Sequence, residues 1–193
     1  MPVTARSEGR GSLVLLIAAV CLVAANMRLT ITAVGPLLEQ IAADTGVALA
    51  TLGLLTAIPL AAWAIVSPFA LTLSRRFGRS TVLLWSLVLL LAATIIRSLL
   101  GLPGLWLGTA LIGIGLAILN VLMPALVKRD FPKRVALMTG IYTALLAGFG
   151  AISSGVAVPL SFLGDASTGW RISLLLTGGV LLPFAIIAWA RTM

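Results

Sequence analysis

The 193-residue chain has no histidine, one cysteine, one tyrosine and five carboxylates, and each scarcity removes a class of chemistry. With Cys21 the sole thiol, there is no disulfide, no Ser-His or Cys-His pair, no histidine-containing metal site, and too few ligands for haem or an iron–sulfur centre. No cofactor is expected. Charged residues make up 9% of the chain, against about a quarter in soluble domains, and hydrophobic ones make up 61%. The composition is that of an all-α polytopic membrane protein. A formal charge of +8 and a pI near 11.6 come without the basic arm or basic helix face that phosphate contacts need, so nucleic acid is not an expected partner.

Six apolar runs are present, at about 12–38, 50–73, 81–100, 104–127, 135–160 and 172–190, each long enough to span a bilayer as a helix. Residues 1–11 form a short polar tail with Arg6 and Arg10. The run after it is too long for a cleavable signal core, so it reads as an uncleaved anchor. Loop charge then sets direction. The breaks at 74–80 and 128–134 carry Arg75, Arg76, Arg79, Lys128, Arg129, Lys133 and Arg134, whereas the other three breaks carry only Arg171. Counting Arg6, Arg10 and Arg191, ten cations lie on one side. The positive-inside rule makes both termini cytoplasmic, in a bacterial-type inner membrane.

Arg28 is the one charge in the run from Ser12 to Leu38. At about 1.5 Å per residue it lies roughly 24 Å from Ser12, a little past the middle of a ~30 Å hydrocarbon layer. A guanidinium stays charged there, so it must face protein, water or an anion. The functional reading is a cavity cation; the alternative is a packing contact with a neighbouring helix. Asn26 stands about 200° round the helix from Arg28, so one of the two looks into a cavity and the other packs, while Thr32 and Gly35 share the Arg28 face. Asn120 and Tyr142 each lie about 10 Å deep, on spans four and five. They either bond to each other across the helices or offer a donor and an acceptor to a cavity. Arg97, near the outer end of span three, is expected to snorkel outward in a structural role.

Pro36, Pro59, Pro68, Pro124, Pro159 and Pro183 mark hinges or static kinks. Gly140, Ala144, Gly148, Ala151 and Gly155 form a small-residue stripe on span five for close helix approach, with Gly104, Gly108 and Gly115 of span four as its expected match. Glu8, Glu39, Asp44, Asp130 and Asp165 are placed in the tail, in loops or at helix ends, so no proton-relaying carboxylate is expected at mid-membrane.

Six spans, the loop Arg75-Arg76-Phe77-Gly78-Arg79 and Gly169-Trp170-Arg171 resemble the amino-terminal half of a major facilitator superfamily transporter. Asn26-Met27-Arg28, the run from Asn120 to Pro132 and Met138-Thr139-Gly140-Ile141-Tyr142 resemble its cyanate and 2-nitroimidazole transporter subfamily more specifically. The loop departs from the family pattern, with Arg75 where an acidic residue is usual and Leu71 where a glycine is, and Leu29 stands in place of a proline after the arginine. The resemblance implies two inverted three-helix units, and a cavity lined by spans one, two, four and five. It makes Arg28, Asn26, Asn120 and Tyr142 candidate substrate contacts and Arg75, Arg76, Gly78 and Arg79 candidate inner-gate residues.

Family members have twelve spans, so the end at 191–193 reads as a truncation before a second six-helix half. That half, or a second copy of this chain, is an expected partner, with the lipid bilayer and a small-molecule substrate. The leading reading is a secondary or facilitative transporter working by alternating access on a small anionic or polar solute, a cyanate-like anion or a nitroimidazole-like compound. Alternatives are a non-transporting six-helix assembly protein and a drug-efflux half. A membrane enzyme is disfavoured by the missing histidine and catalytic carboxylates.

Overall fold

A computed structural model describes residues 10–193, which are all-helical and contain six helical stretches long and apolar enough to cross a membrane. Span one is α1 (Arg10–Thr32) with α2 (Val34–Thr45). Span two is α3 (Leu49–Leu52) with α4 (Leu54–Phe77), and span three is α5 (Arg79–Leu99). Span four is α6 (Gly101–Asp130), span five is α7 (Val135–Ser161), and span six is α8 (Gly169–Gly179) with α9 (Leu182–Ala190). The polar tail falls outside the described residues apart from its last two positions, which already open α1.

Several helices outrun their apolar stretches. The break expected from Glu39 to Leu49 is helical as far as Thr45, because Glu39-Gln40-Ile41-Ala42-Ala43 contains no helix breaker. The stop is Gly46, whose φ of 68° lets its N–H reach the Ala42 carbonyl oxygen. Glu39 is therefore an exposed helical residue rather than a loop one. Gly78 does similar work between α4 and α5, at φ 85°.

The proline kinks are selective. Pro59, Pro68, Pro124 and Pro159 lie inside continuous helices, whereas span one is interrupted at Ala33 and span six just before Leu182. Pro36 has no N–H for the carbonyl of Thr32 and its ring crowds that oxygen, which accounts for the first interruption. Side chains from two other helices serve the carbonyls of this turn. Ser153 and Ser154 of α7 donate to Leu29 and Thr32 at 3.1 and 3.2 Å, and Arg97 of α5 donates through Nη1 to Thr30 at 2.8 Å.

These bonds lie between two apolar clusters. The larger runs from Ala19 to Met27 and takes in Leu83, Leu119, Met123 and Trp189; the smaller gathers Leu37, Ile41, Leu52, Leu105, Trp170 and Leu174. Each cluster is fastened at the bundle end by an indole. Trp189 donates to the Ser80 carbonyl at 3.0 Å, and Trp170 donates to Asp44 at 2.9 Å with Arg171 stacked 4.9 Å above its ring.

Two packing expectations need correction. Gly104 and Gly108 do not meet the α7 stripe but seat α5. A Cβ on Gly104 would lie 2.5 Å from the Ile96 carbonyl oxygen, and one on Gly108 would lie 2.6 Å from that of Ala93. Gly113 likewise admits α4 at Pro59, and Gly115 meets Leu90 of α5. The short turn at Leu100 folds α6 back along α5, so α5 reaches these glycines first. The α7 stripe is left bare: nothing lies within 4 Å of a Cβ built on Gly140, Gly148 or Gly155, and Ala144 and Ala151 are exposed. Arg97 does not snorkel. It is 1% exposed and turns inward to Thr30, because it lies on the α5 face that packs on α6, where Gly108 leaves room for its stem.

Candidate functional site

From Val23 to Thr30 every residue is buried except Arg28. It stands fifteen residues after Leu13 and seventeen before Thr45, close to the midpoint of span one. Its guanidinium takes part in none of the hydrogen bonds or ion pairs among the described residues, where the ion pairs are Arg129–Asp130 and Arg171–Asp44. The backbone beneath it is well tied. Thr32 donates to the Arg28 carbonyl at 2.9 Å, and Gly150 of α7 lies against the arginine stem, which a Cβ there would meet at 3.9 Å.

Two adjoining spaces share Arg28 and Leu146. One is an open groove of about 290 Å³ bounded by Arg28, Thr32, Thr143, Leu146, Ala147 and Gly150. The other is a slot of about 10 Å³ bounded by Met27, Arg28, Ile31, Trp63, Asn120 and Leu146, room for about one water-sized group. Spans one, two, four and five supply every residue of both. Carboxylates are absent from both linings, and the donor-bearing residues Arg28, Trp63 and Asn120 all line the slot. Chemically this is a place for an acceptor-rich anion or dipole, held by charge and N–H groups against apolar walls.

Of the residues singled out from sequence, Arg28 and Asn120 come together in the slot. Tyr142 does not join them. It is nearly buried, lines neither space, and its hydroxyl donates to the Met27 sulfur at 3.4 Å rather than to Asn120. Asn26 takes the packing side, fully buried, with its amide donating to the Leu22 carbonyl at 2.8 Å and its Oδ1 without a partner among the described residues. Expected as a candidate substrate contact, Asn26 lines neither space, since two residues put it on a different face of the helix from Arg28. Arg75, Arg76 and Arg79 are exposed around the Gly78 turn, with Arg76 5.4 Å over the Phe77 ring. Arg75 and Arg76 occupy the last turn of α4, where cations suit the helix dipole.

Trp63 is the residue that sequence reasoning missed. It stands fourteen residues from each end of span two, at mid-membrane, whereas membrane tryptophans concentrate at the interfaces. That displacement was a readable signal.

Six apolar membrane-length helices, four of them bordering the spaces beside a cation at the middle of span one, have the architecture of a membrane transporter bundle. Residues 17–192 match the Major Facilitator Superfamily, and the chain belongs to that family. It is 41% identical over 175 residues to the 2-nitroimidazole transporter of Escherichia coli (strain K12), covering 91% of this chain and 43% of that protein. It is 40% identical over 174 residues to the uncharacterized transporter YycB of Bacillus subtilis (strain 168), covering 90% of this chain and 42% of that one. With the cyanate transport protein CynX of Escherichia coli (strain K12) it shares 31% identity over 136 residues, 70% of this chain and 35% of that protein. The chain thus spans less than half the length of these relatives. No solved structure matches it significantly.

Proposed function

We propose that this chain forms the amino-terminal half of a secondary or facilitative transporter that moves a small anionic or strongly dipolar solute by alternating access. Its substrate contacts are Arg28 and Asn120, with Tyr142 bracing Met27 behind them. The carrying observation is the Arg28 guanidinium, exposed at mid-span, unpaired among the described residues and bordering a donor-rich slot. A charge in hydrocarbon is costly unless a cavity, partner or ligand receives it. The names of two relatives, a 2-nitroimidazole transporter and a cyanate transport protein, suggest the solute class. 2-Nitroimidazole carries its nitro oxygens at one end, and cyanate is a linear anion with an acceptor atom at each end. Both termini face the cytoplasm of a bacterial-type inner membrane, the basic turns around Gly78 and Pro132 lie on that side with Arg75, Arg76, Gly78 and Arg79 near the inner gate, and a second six-helix half, or a second copy, completes the cavity.

Among the described residues no carboxylate lines either space. Asp44 is engaged by Trp170 and Arg171, Asp130 is paired with Arg129, and Glu39 is exposed two turns from the end of span one. This half therefore favours uniport or exchange, and a proton-coupled cycle would draw its acid from the other half.

The test replaces Arg28 in the complete gene product and measures binding of cyanate and 2-nitroimidazole, with membrane insertion followed alongside. Loss of a charge-assisted contact worth roughly 1.5–3 kcal/mol weakens binding about 10- to 150-fold in Arg28→Ala. Arg28→Lys keeps the charge without the planar fork and falls between the two. Wild-type binding of both probes by a normally inserted Arg28→Ala would make Arg28 a packing residue.

A further inference from the structure

The slot beside Arg28 contains a second donor that the family resemblance does not assign. The Trp63 indole nitrogen is buried and has no hydrogen-bond partner among the described residues, and Trp63 lines the slot together with Arg28 and Asn120. The contrast within the chain is sharp. Trp170 and Trp189, near the bundle ends, both donate, to Asp44 and to Ser80. Trp63 lies in the middle of its span, where a water partner is least available and an unmade N–H bond costs most. An indole N–H held there without a partner is a donor waiting for an acceptor.

Among the described residues nothing accepts from the Trp63 N–H. Trp63 donates only and Arg28 presents up to five N–H groups, while the Thr32 hydroxyl belongs to the groove lining rather than the slot's and forms no hydrogen bond with Trp63. Asn120 supplies the one side-chain carbonyl in the slot lining, and it forms no hydrogen bond with Trp63. The slot admits only a group about the size of one water, whereas the groove next to it, sharing Arg28 and Leu146, has room for about 290 Å³. We infer that Trp63 is a specificity-determining residue whose indole N–H, with Arg28 and Asn120, binds the compact acceptor end of the substrate in the slot while the remainder lies in the groove. The shared chemistry is a terminal oxygen pair or single charged acceptor atom, as in a nitro group or a small linear anion. Solutes with N–H groups but no such end lose the slot. This inference rests on the transport reading of Arg28.

The experiment uses the complete gene product in lipid nanodiscs, with 2-nitroimidazole, cyanate and imidazole as probes. Imidazole shares the ring of the first and lacks its nitro group. Trp63→Phe removes the N–H and is expected to weaken 2-nitroimidazole about tenfold, the order of one hydrogen bond to a charged or strongly polar acceptor, while imidazole changes less than twofold. Replacing Trp63 with benzothienylalanine, which keeps the bicyclic shape and exchanges N–H for sulfur, is expected to do the same, and separates loss of the donor from any loss of folding. Cyanate weakened in parallel shows that the slot reads the acceptor alone; cyanate unaffected shows that it reads the nitro group. Unchanged discrimination between 2-nitroimidazole and imidazole in the benzothienyl variant, with Arg28-dependent binding intact, overturns the Trp63 assignment and leaves the transport reading standing. Absence of Arg28-dependent binding in the unsubstituted protein overturns both.

Discussion

Replacing Gly108 and Gly148 by alanine, one glycine at a time, should move stability in opposite directions. At Gly108 the new Cβ would sit 2.6 Å from both the Ala93 carbonyl oxygen and the Arg97 Cβ, and 2.7 Å from the Arg97 backbone nitrogen. Ordinary contact begins near 3.4 Å, so α5 must retreat by about 0.8 Å, and because two of the three obstacles are backbone atoms no rotamer change relieves the clash. Overpacking of this kind costs about 1–3 kcal/mol, towards the upper end here, against a gain of about 1 kcal/mol from helix propensity. The net loss is about 1–2 kcal/mol, or roughly 2–8 °C in the unfolding midpoint. Gly148→Ala meets nothing within 4 Å and keeps only the propensity gain, a rise of roughly 2–4 °C. Thermal unfolding of the purified 193-residue chain in detergent reads both. A midpoint for Gly108→Ala at or above that of Gly148→Ala would refute the packing argument.

Arg97 gives a second stability test. Arg97→Ala leaves a void and an unserved Thr30 carbonyl, whereas Arg97→Met fills the space and removes a desolvated cation, so the methionine variant should be the more stable by about 2 kcal/mol or more, and a reversed order in denaturant unfolding would refute it. Orientation is tested with single cysteines at Arg76 and Lys133 in a Cys21→Ser background. Both should react with an impermeant thiol reagent only after the cells are opened, and labelling of either in intact cells would invert the topology.

What could be read in advance divides along physical lines. The six spans were legible because bilayer thickness imposes a length and a composition on each. Arg28 stood out because a permanent charge in an apolar run must be given surroundings, and the 100° step of the helix put Asn26 on another face without telling which of the two would pack. Partner choice was not. Gly104 and Gly108 gave the same small-residue signal as the α7 stripe, and nothing in their spacing told that α5, rather than α7, would occupy them; only the fold-back at Leu100 decides it. Arg97 misled for a related reason. Its nearness to the helix end suggested snorkelling, yet its face of α5 was set by packing on α6, and a carbonyl of the kinked turn in span one was the nearest acceptor.

That turn connects the buried polar groups to the candidate site. Three consecutive demands meet within a few residues of span one: Arg28 must look outward, Pro36 leaves the Thr32 carbonyl short of its helical partner, and Leu29 and Thr30 are buried with their carbonyls close to other helices. The fold answers with donors from opposite sides. Ser153 and Ser154 hold the turn from α7, and Arg97 holds it from α5, so the orientation of Arg28 is fixed by bonds that it does not itself make. A side chain on an exposed face is thereby given a rigid base, which a substrate contact requires if binding energy is not to be spent on ordering the protein. The serines on one side are neutral and each offers a single donor, while Arg97 uses one of its nitrogens and keeps Nε and Nη2 without partners among the described residues. The α5 side of this anchorage is consequently the side with donors in reserve, and the α7 side, with its bare stripe, is the side whose remaining surface is unfilled.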